Sequence, residues 1–464
     1  MATMLRGNSV VQIRDRSLPE VDNNVLCTKR STTSKYSLTS TLISQPTLPS
    51  PCLKFGDVTG KVIGGTSGVV NIKENINTSS ERSKGSMDQE NDIHRRFINR
   101  KRHLQNVCSK VRETRVDQRC IRNGVASNLK YVENKEMLFC AIEKTGSTFW
   151  KRILHIAGGW RNVSNPTHIG LGEAYTEKGG YRSMKGKNWT NIVEIFSKTR
   201  SVIFVRDPYT RLFSGWLDKF YSPNTYFWKS AGKQIVKKER KTDVKCGYDV
   251  TFAEFVNHTV HNVLSTPCID GHFQSNYLHC LPCNVTFDYI GKYETIKEDT
   301  MHILEAFKLS EKIKFDDFEK DSALDAIKDA AGWVFSQKKG VAECEVSFGC
   351  ALFKVWSRLQ SRGIISFKIK FPFKSDEDVR NVTRKQFESA LKNAYDGSDS
   401  EDLQNSRQAA LVQALGSLPK SSVNLIQQAF DLDFEIFGYD RVPIVSINPT
   451  NFQTFSYFQN CPPF

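Results

Sequence analysis

The stretch Cys140-Ala-Ile-Glu-Lys-Thr-Gly-Ser-Thr-Phe-Trp150 decides how this chain folds. The apolar run Met137 to Ile142 (MLFCAI) reads as a buried strand, and the polar turn Glu143 to Thr148 (EKTGST) ends it. Phe149, Trp150, Ile153, Leu154 and Ile156 then recur at helical spacing until Gly158-Gly159. The same order returns downstream. Ser201 to Val205 (SVIFV) is a second buried strand, followed by Arg206-Asp207-Pro208 and a helix through Leu212, Phe213, Trp216, Leu217 and Phe220. Pro208 suits the first helical turn, where its missing N–H is no loss. A third apolar run, Phe287 to Ile290, precedes a helix from about 295 to 307. Strand, polar turn and helix, three times over, predict an α/β fold with a central parallel sheet. Ligands of such folds sit beyond the carboxyl ends of the strands, where both polar turns lie.

The first turn has the chemistry of an anion cradle. Gly146 lets the backbone approach a ligand, and Thr145, Ser147 and Thr148 carry hydroxyls. The N-terminus of the following helix favours a phosphate, and Lys144 adds a mobile positive charge. It is not a Walker A loop, because Lys144 precedes the only glycine of the turn. Alone, the pattern fits an ordinary Ser/Thr helix cap equally well. The second turn shifts that balance. Arg206 stands at a strand end, Arg211 lies within the helix, and Ser214 follows further along it. Guanidinium groups bind phosphate bidentately, whereas Asp207 reads as the helix cap. Two such turns on one sheet edge imply a ligand with two separate phosphate groups.

The 464 residues carry 65 Lys+Arg against 50 Asp+Glu, a formal net charge of +15. With 39% hydrophobic and 25% charged residues, the chain is neither collagenous, nor wholly disordered, nor a polytopic membrane protein. The surplus points to an anionic partner: nucleic acid, nucleotide, acidic polysaccharide or anionic membrane. It is densest from His94 to Lys130, where only Glu113 and Asp117 oppose eleven Lys and Arg side chains. That segment reads as a basic helix with Phe97, Leu104 and Val111 on one stripe. It fits either a polyanion-binding surface or a solvated face.

Residues 1–93, rich in Ser, Thr, Asn and Pro, read as a disordered stem or leader. A basic helical segment over 94–129, a globular domain over 130–445 and a tail over 446–464 follow. Neither a signal peptide nor a transmembrane segment is visible; Val62 to Val70 is too short and too rich in glycine. Of the twelve cysteines, Cys280 and Cys283 form a Cys-x-x-Cys pair. No second such pair exists to complete a zinc site, so a structural disulfide network is the better reading for a lumenal protein. Six Asn-x-Ser/Thr sequons, at Asn77, Asn162, Asn188, Asn257, Asn284 and Asn381, weakly favour the same location.

These motifs resemble those of the Golgi carbohydrate sulfotransferases that modify chondroitin, dermatan and related glycans (sulfotransferase family 2). CAIEKTGSTFWKR (Cys140 to Arg152) is similar to that family's 5′-phosphosulfate loop, and VRDPYTRLFSGWLDKF (Val205 to Phe220) to its 3′-phosphate motif. HFQSNYLHCLPC (His272 to Cys283), FDYIGKYETIKED (Phe287 to Asp299) and LDFEIFGYD (Leu432 to Asp440) resemble its later blocks, in order. Five ordered matches are a far more specific signal than any one alone. The chain departs from the family at Glu143, where proline is usual, and at Gly146 and Ser147, where Ala or Gly and then Cys are common. A longer stretch between Asp299 and Leu432 reads as an insertion over about 330–375.

The resemblance implies a P-loop-like three-layer form of the α/β fold. It also implies transfer of a sulfuryl group from 3′-phosphoadenosine 5′-phosphosulfate (PAPS) to a glycan hydroxyl, without a metal. Lys144 would stabilise the bridging oxygen, and Thr145, Gly146, Ser147 and Thr148 would hold the 5′-phosphate. Arg206 and Ser214 would hold the 3′-phosphate with support from Arg211, and His272 would take the acceptor proton, with His279 second in line. Tyr293 and Glu294 end the third expected strand, where approach to the donor and plain packing fit equally. The implied partners are PAPS and an acidic or neutral glycan, not nucleic acid. The implied location is the Golgi lumen, with membrane attachment through an anchor not visible in the sequence. Two readings of other kinds stay open: a non-catalytic glycan-binding protein on the same fold, and a nucleotide-dependent phosphotransferase.

Overall fold

In a computed structural model, which describes residues 78–111, 119–443 apart from 178 and 267, 455–459 and 461, five strands form one sheet. They are β1 (Leu129–Val132), β2 (Met137–Cys140), β3 (Arg182–Ser183), β4 (Arg200–Val205) and β5 (Tyr289–Lys292), in the order β3-β1-β2-β4-β5. β2, β4 and β5 run parallel, with Cys140 opposite Ile203 and Val205 opposite Lys292. β1 pairs antiparallel with both β2 and β3. The sheet is therefore mixed: the central β2, β4 and β5 are parallel, as expected, and β1 runs against them. The reason is the tight reversal Glu133–Glu136, whose Glu136 takes a left-handed conformation (φ 47°) and folds β1 directly back onto β2. The third expected strand also moves two residues along the chain. Phe287 is fully buried but lies before the ladder begins.

The helices that build the site are α1 (Thr78–Cys108), α2 (Arg119–Asn128), α3 (Ser147–Ala157), α4 (Pro208–Trp216), α5 (Asn276–Cys280), α6 (Ile296–Ala306), α7 (Phe318–Ser336), α8 (Phe348–Ser361) and α9 (Asp431–Phe437). Strand residues alternate between two cores, as a pleated ribbon requires. Met137, Phe139, Val202 and Phe204 pack with Trp150 and Ile153 of α3 and Leu304 of α6. Leu138, Cys140, Ile203 and Val205 face the other way, toward Leu104 of α1, Val125 of α2, Tyr277 of α5 and Ile436 of α9. Both faces of the sheet are thus covered by helices, which is why β2 and the Val202–Val205 stretch of β4 are unbroken apolar runs.

The basic segment is partly turned inward. Arg100 of α1 bonds the fully buried Asp299 at 2.6 Å and donates to the Ile290 carbonyl at 3.0 Å, while Lys101 pairs with Asp288 at 2.9 Å. Phe97 and Leu104 are buried, as the stripe predicts, but α1 stops at Cys108 and α2 begins separately at Arg119.

From Phe318 onward the described elements are helices: those up to residue 396 build a core with Trp228 that includes Trp356, Leu359 and Phe387, and the later ones pack on α4 and the sheet. Arg152 of α3 reaches into this half. It is almost fully buried and forms ion pairs with Asp325 and, at 3.1 Å, with Asp329 of α7. Disulfides join Cys108–Cys283, Cys120–Cys268, Cys140–Cys280, Cys246–Cys344 and Cys350–Cys461. The two cysteines of the Cys-x-x-Cys pair therefore go to separate partners. No helix among the described residues is long and apolar enough to cross a membrane. The expected leader up to residue 77, with Cys27, Cys52 and Asn77, and most of the expected tail lie outside the described residues.

Candidate functional site

The parallel pairing of β2 and β4 brings the two polar turns to one edge of the sheet. In the first turn Lys144 (φ 70°) and Gly146 (φ 88°) are both left-handed. A Cβ on Gly146 would also stand 2.7 Å from Ile296 Cδ1, so both backbone and space demand glycine. No side chain caps α3, which leaves its first N–H groups to a ligand or water. The hydroxyls are less available than the sequence suggests. Buried Thr145 donates to the Ile142 carbonyl at 2.9 Å, and Thr148 shares a 2.8 Å hydrogen bond with the Tyr175 hydroxyl. Ser147 is buried as well. The turn therefore presents mainly backbone donors and Lys144.

Lys144 Nζ lies 2.8 Å from Asp218 Oδ2. Burial pulls its ammonium down to about 7, against the opposing pull of the Asp218 carboxylate. In the second turn Asp207 caps α4, accepting the Thr210 N–H at 2.8 Å, and burial raises its carboxyl to about 6. Arg206 donates to the Lys144 carbonyl at 3.2 Å and to Thr210 Oγ1 at 3.2 Å. Its guanidinium carbon sits 4.2 Å over the ring of Tyr293. Glu294 is occupied, accepting the Asp207 N–H and the Tyr439 hydroxyl, each at 3.0 Å. Ser214 is half-buried on α4.

Arg211 has different work from that expected of it. It is buried, and its nitrogens donate to the carbonyls of Glu143 (2.9 Å), Gly271 (3.0 Å) and Gln274. Burial lowers it to about 10, and three carbonyls hold it where it is. It ties the first turn to the 271–274 loop and does not offer a fork to a phosphate.

The two histidines also separate. His272 Nδ1 is 2.7 Å from Asp270 Oδ1, and the His272 N–H donates to the same oxygen at 2.9 Å. The pair fixes the ring and leaves Nε2 without a hydrogen-bond partner among the described residues, the geometry of an oriented base. His279 is buried between two acceptors, the Ser275 carbonyl at 2.9 Å and Glu143 Oε2 at 2.8 Å. Both ring nitrogens are thus engaged within the protein, so His279 offers neither to an acceptor hydroxyl. Glu143 is balanced by the same contact. Burial would raise its carboxyl, yet the hydrogen bond and charge of His279 hold it well below the usual carboxylate range.

Sequence reasoning missed two residues here. A π-helical turn, Leu217–Tyr221, follows α4 and presents Asp218 to three cations: Lys144, Lys219 at 3.3 Å and Arg358 of α8 at 2.9 Å. Asp218 lies inside the second motif, where helical periodicity gives it no special mark. Arg358 lies on a helix that carries no motif at all.

A model of the sulfotransferase family matches residues 127–347, the span that holds both turns and both histidines. The match places this segment in the sulfotransferase family. Carbohydrate sulfotransferase 11 of Mus musculus is 30% identical over 238 residues, which cover 47% of this chain and 66% of that protein. Carbohydrate sulfotransferase 9 of Homo sapiens is 32% identical over 199 residues, covering 41% and 43%, and human carbohydrate sulfotransferase 8 is 26% identical over 238 residues, covering 49% and 53%. This chain thus spans between two fifths and two thirds of the length of these curated relatives. No solved structure matches it.

Proposed function

We propose that this protein transfers a sulfuryl group from PAPS to a hydroxyl of a glycan, with chondroitin- or dermatan-like and other N-acetylgalactosamine-containing chains as the acceptor class. The observation that carries this reading is the meeting of the two turns. Arg206 of the second donates to the backbone of Lys144 in the first, so one nucleotide with phosphates at two positions can engage both. The names of the relatives supply a carbohydrate as acceptor, and the narrower chondroitin- or dermatan-like class rests on the motif resemblance alone.

On this reading the acceptor oxygen attacks sulfur in line while the S–O bond to the 5′-phosphate breaks. The electron pair stays on the phosphate oxygen, where protonated Lys144 meets the growing charge. The N–H groups from Thr145 to Thr148 hold the 5′-phosphate at the helix N-terminus. Arg206, stacked on Tyr293, holds the 3′-phosphate with Ser214 beside it. His272, oriented by Asp270, takes the acceptor proton. Residues 130–445 form the sulfotransferase domain of a P-loop-like fold, with about 330–375 as an addition to it, 94–129 as its basic lead-in and 1–93 as a stem. Five disulfides favour an oxidising compartment, in keeping with the Golgi lumen.

Transfer of radiolabelled sulfate from PAPS to a panel of desulfated glycosaminoglycans tests the proposal. Incorporation into an N-acetylgalactosamine-containing chain is the expected result. Glycan binding with no incorporation into any acceptor would overturn it in favour of a non-catalytic glycan-binding protein.

A further inference from the structure

Lys144 does not stand alone in its turn. Its ammonium is 2.8 Å from Asp218 Oδ2, and the other oxygen of that carboxylate is 2.9 Å from Arg358 Nη2. Lys219 approaches Oδ2 at 3.3 Å, and Arg358 also reaches Ser222 Oγ at 3.4 Å. The Arg358 Nε is buried and has no hydrogen-bond partner among the described residues, so Asp218 is the main anchor of that guanidinium. Asp218, Lys219 and Ser222 all belong to the π-helical turn or its end, a wide turn that re-aims side chains and is common at functional sites. Arg358 comes from α8, beyond the stretch 127–347 that the family model matches.

We propose that Asp218 and Arg358 are positioning residues for Lys144: the carboxylate holds the ammonium at the mouth of the turn, and the guanidinium holds the carboxylate. The functional weight of this bracket rests on reading Lys144 as the residue that meets the leaving group. Three cations around one carboxylate leave the cluster net positive and ready for a further anion. The bracket also sets how Lys144 titrates. Burial lowers it, Asp218 raises it, and Lys219 and Arg358 lower it, giving about 7. Arg206 meets Lys144 at its backbone carbonyl, and the other charges near Arg358 are Arg362 and Asp329. A buried lysine poised near neutrality is protonated when an anion arrives and gives up its proton readily when none is there.

The bracket predicts that its two members act through each other. Replacing Asp218 by Asn removes the attraction and should lower the Lys144 midpoint by about one pH unit. In an Arg358→Gln background the carboxylate is no longer held, so the same Asp218→Asn replacement should lower the midpoint by much less. The readout is competitive labelling of the Lys144 amine in the full chain across roughly pH 5 to 10, followed by peptide mass spectrometry. Arg358→Lys serves as the second background should Arg358→Gln fail to fold. A clear fall in Asp218→Asn that shrinks when Arg358 is replaced supports the bracket. An unmoved midpoint in Asp218→Asn, or the same fall in both backgrounds, overturns it. The labelling needs no turnover, so the two readings fail separately. Coupled shifts without sulfate transfer would sink the sulfotransferase reading and leave the bracket standing, and normal transfer with unmoved midpoints would do the reverse.

Discussion

The two turns at the sheet edge solve anion binding in different ways. The first is built from backbone: two left-handed residues, an uncapped helix, and hydroxyls already spent inside the protein. Its one side-chain charge, Lys144, is tied to Asp218 and brought to about 7 by burial and its neighbours. The second is built from a side chain, Arg206, whose guanidinium carbon sits 4.2 Å over the Tyr293 ring and whose fork suits a phosphate. The first turn is therefore titratable and tuned for a charge that appears during reaction. The second is a fixed recognition element.

That contrast can be broken by mutation. Lys144→Ala should lower kcat on the order of 10³-fold while leaving donor affinity within a few-fold, because its work is done in the transition state. His272→Ala should lower kcat about 10²-fold with donor binding intact, and near-normal turnover would remove its role as base. Arg206→Lys should raise the donor KM about tenfold with little change in kcat, since a point charge replaces a stacked fork. Steady-state kinetics with PAPS separates these cases. The pH profile sharpens the contrast further. Lys144 must be protonated to meet the leaving group, so kcat/KM should fall as pH rises through about 7 in the free enzyme.

How much of this was legible in the sequence follows from how local each feature is. MLFCAI and SVIFV announce buried strands because both of their faces are covered, and the turns after them are contiguous. β1 was invisible: LKYV carries Lys130, whose buried amine is satisfied by the Ser127 carbonyl at 2.8 Å and Glu177 at 3.2 Å. β3 is only Arg182–Ser183, too short for any period. Arg211 looked like a phosphate ligand because its carbonyl acceptors, Glu143, Gly271 and Gln274, come from two distant loops. The balance of Glu143 by His279, and of Lys144 by Asp218 and Arg358, likewise depends on tertiary contacts that spacing does not encode. The disulfide partners of Cys280 and Cys283 were beyond reach for the same reason.

The central claim is that two unlike turns share one doubly phosphorylated nucleotide. Calorimetric binding of 3′-phosphoadenosine 5′-phosphate and of adenosine 5′-phosphate to the wild type and to Arg206→Ala tests it most directly. The account predicts that the wild type favours the bisphosphate by at least about tenfold, roughly the 1.4 kcal/mol of one good charge-assisted contact, and that Arg206→Ala loses the preference. Equal affinity of the wild type for the two nucleotides would contradict it.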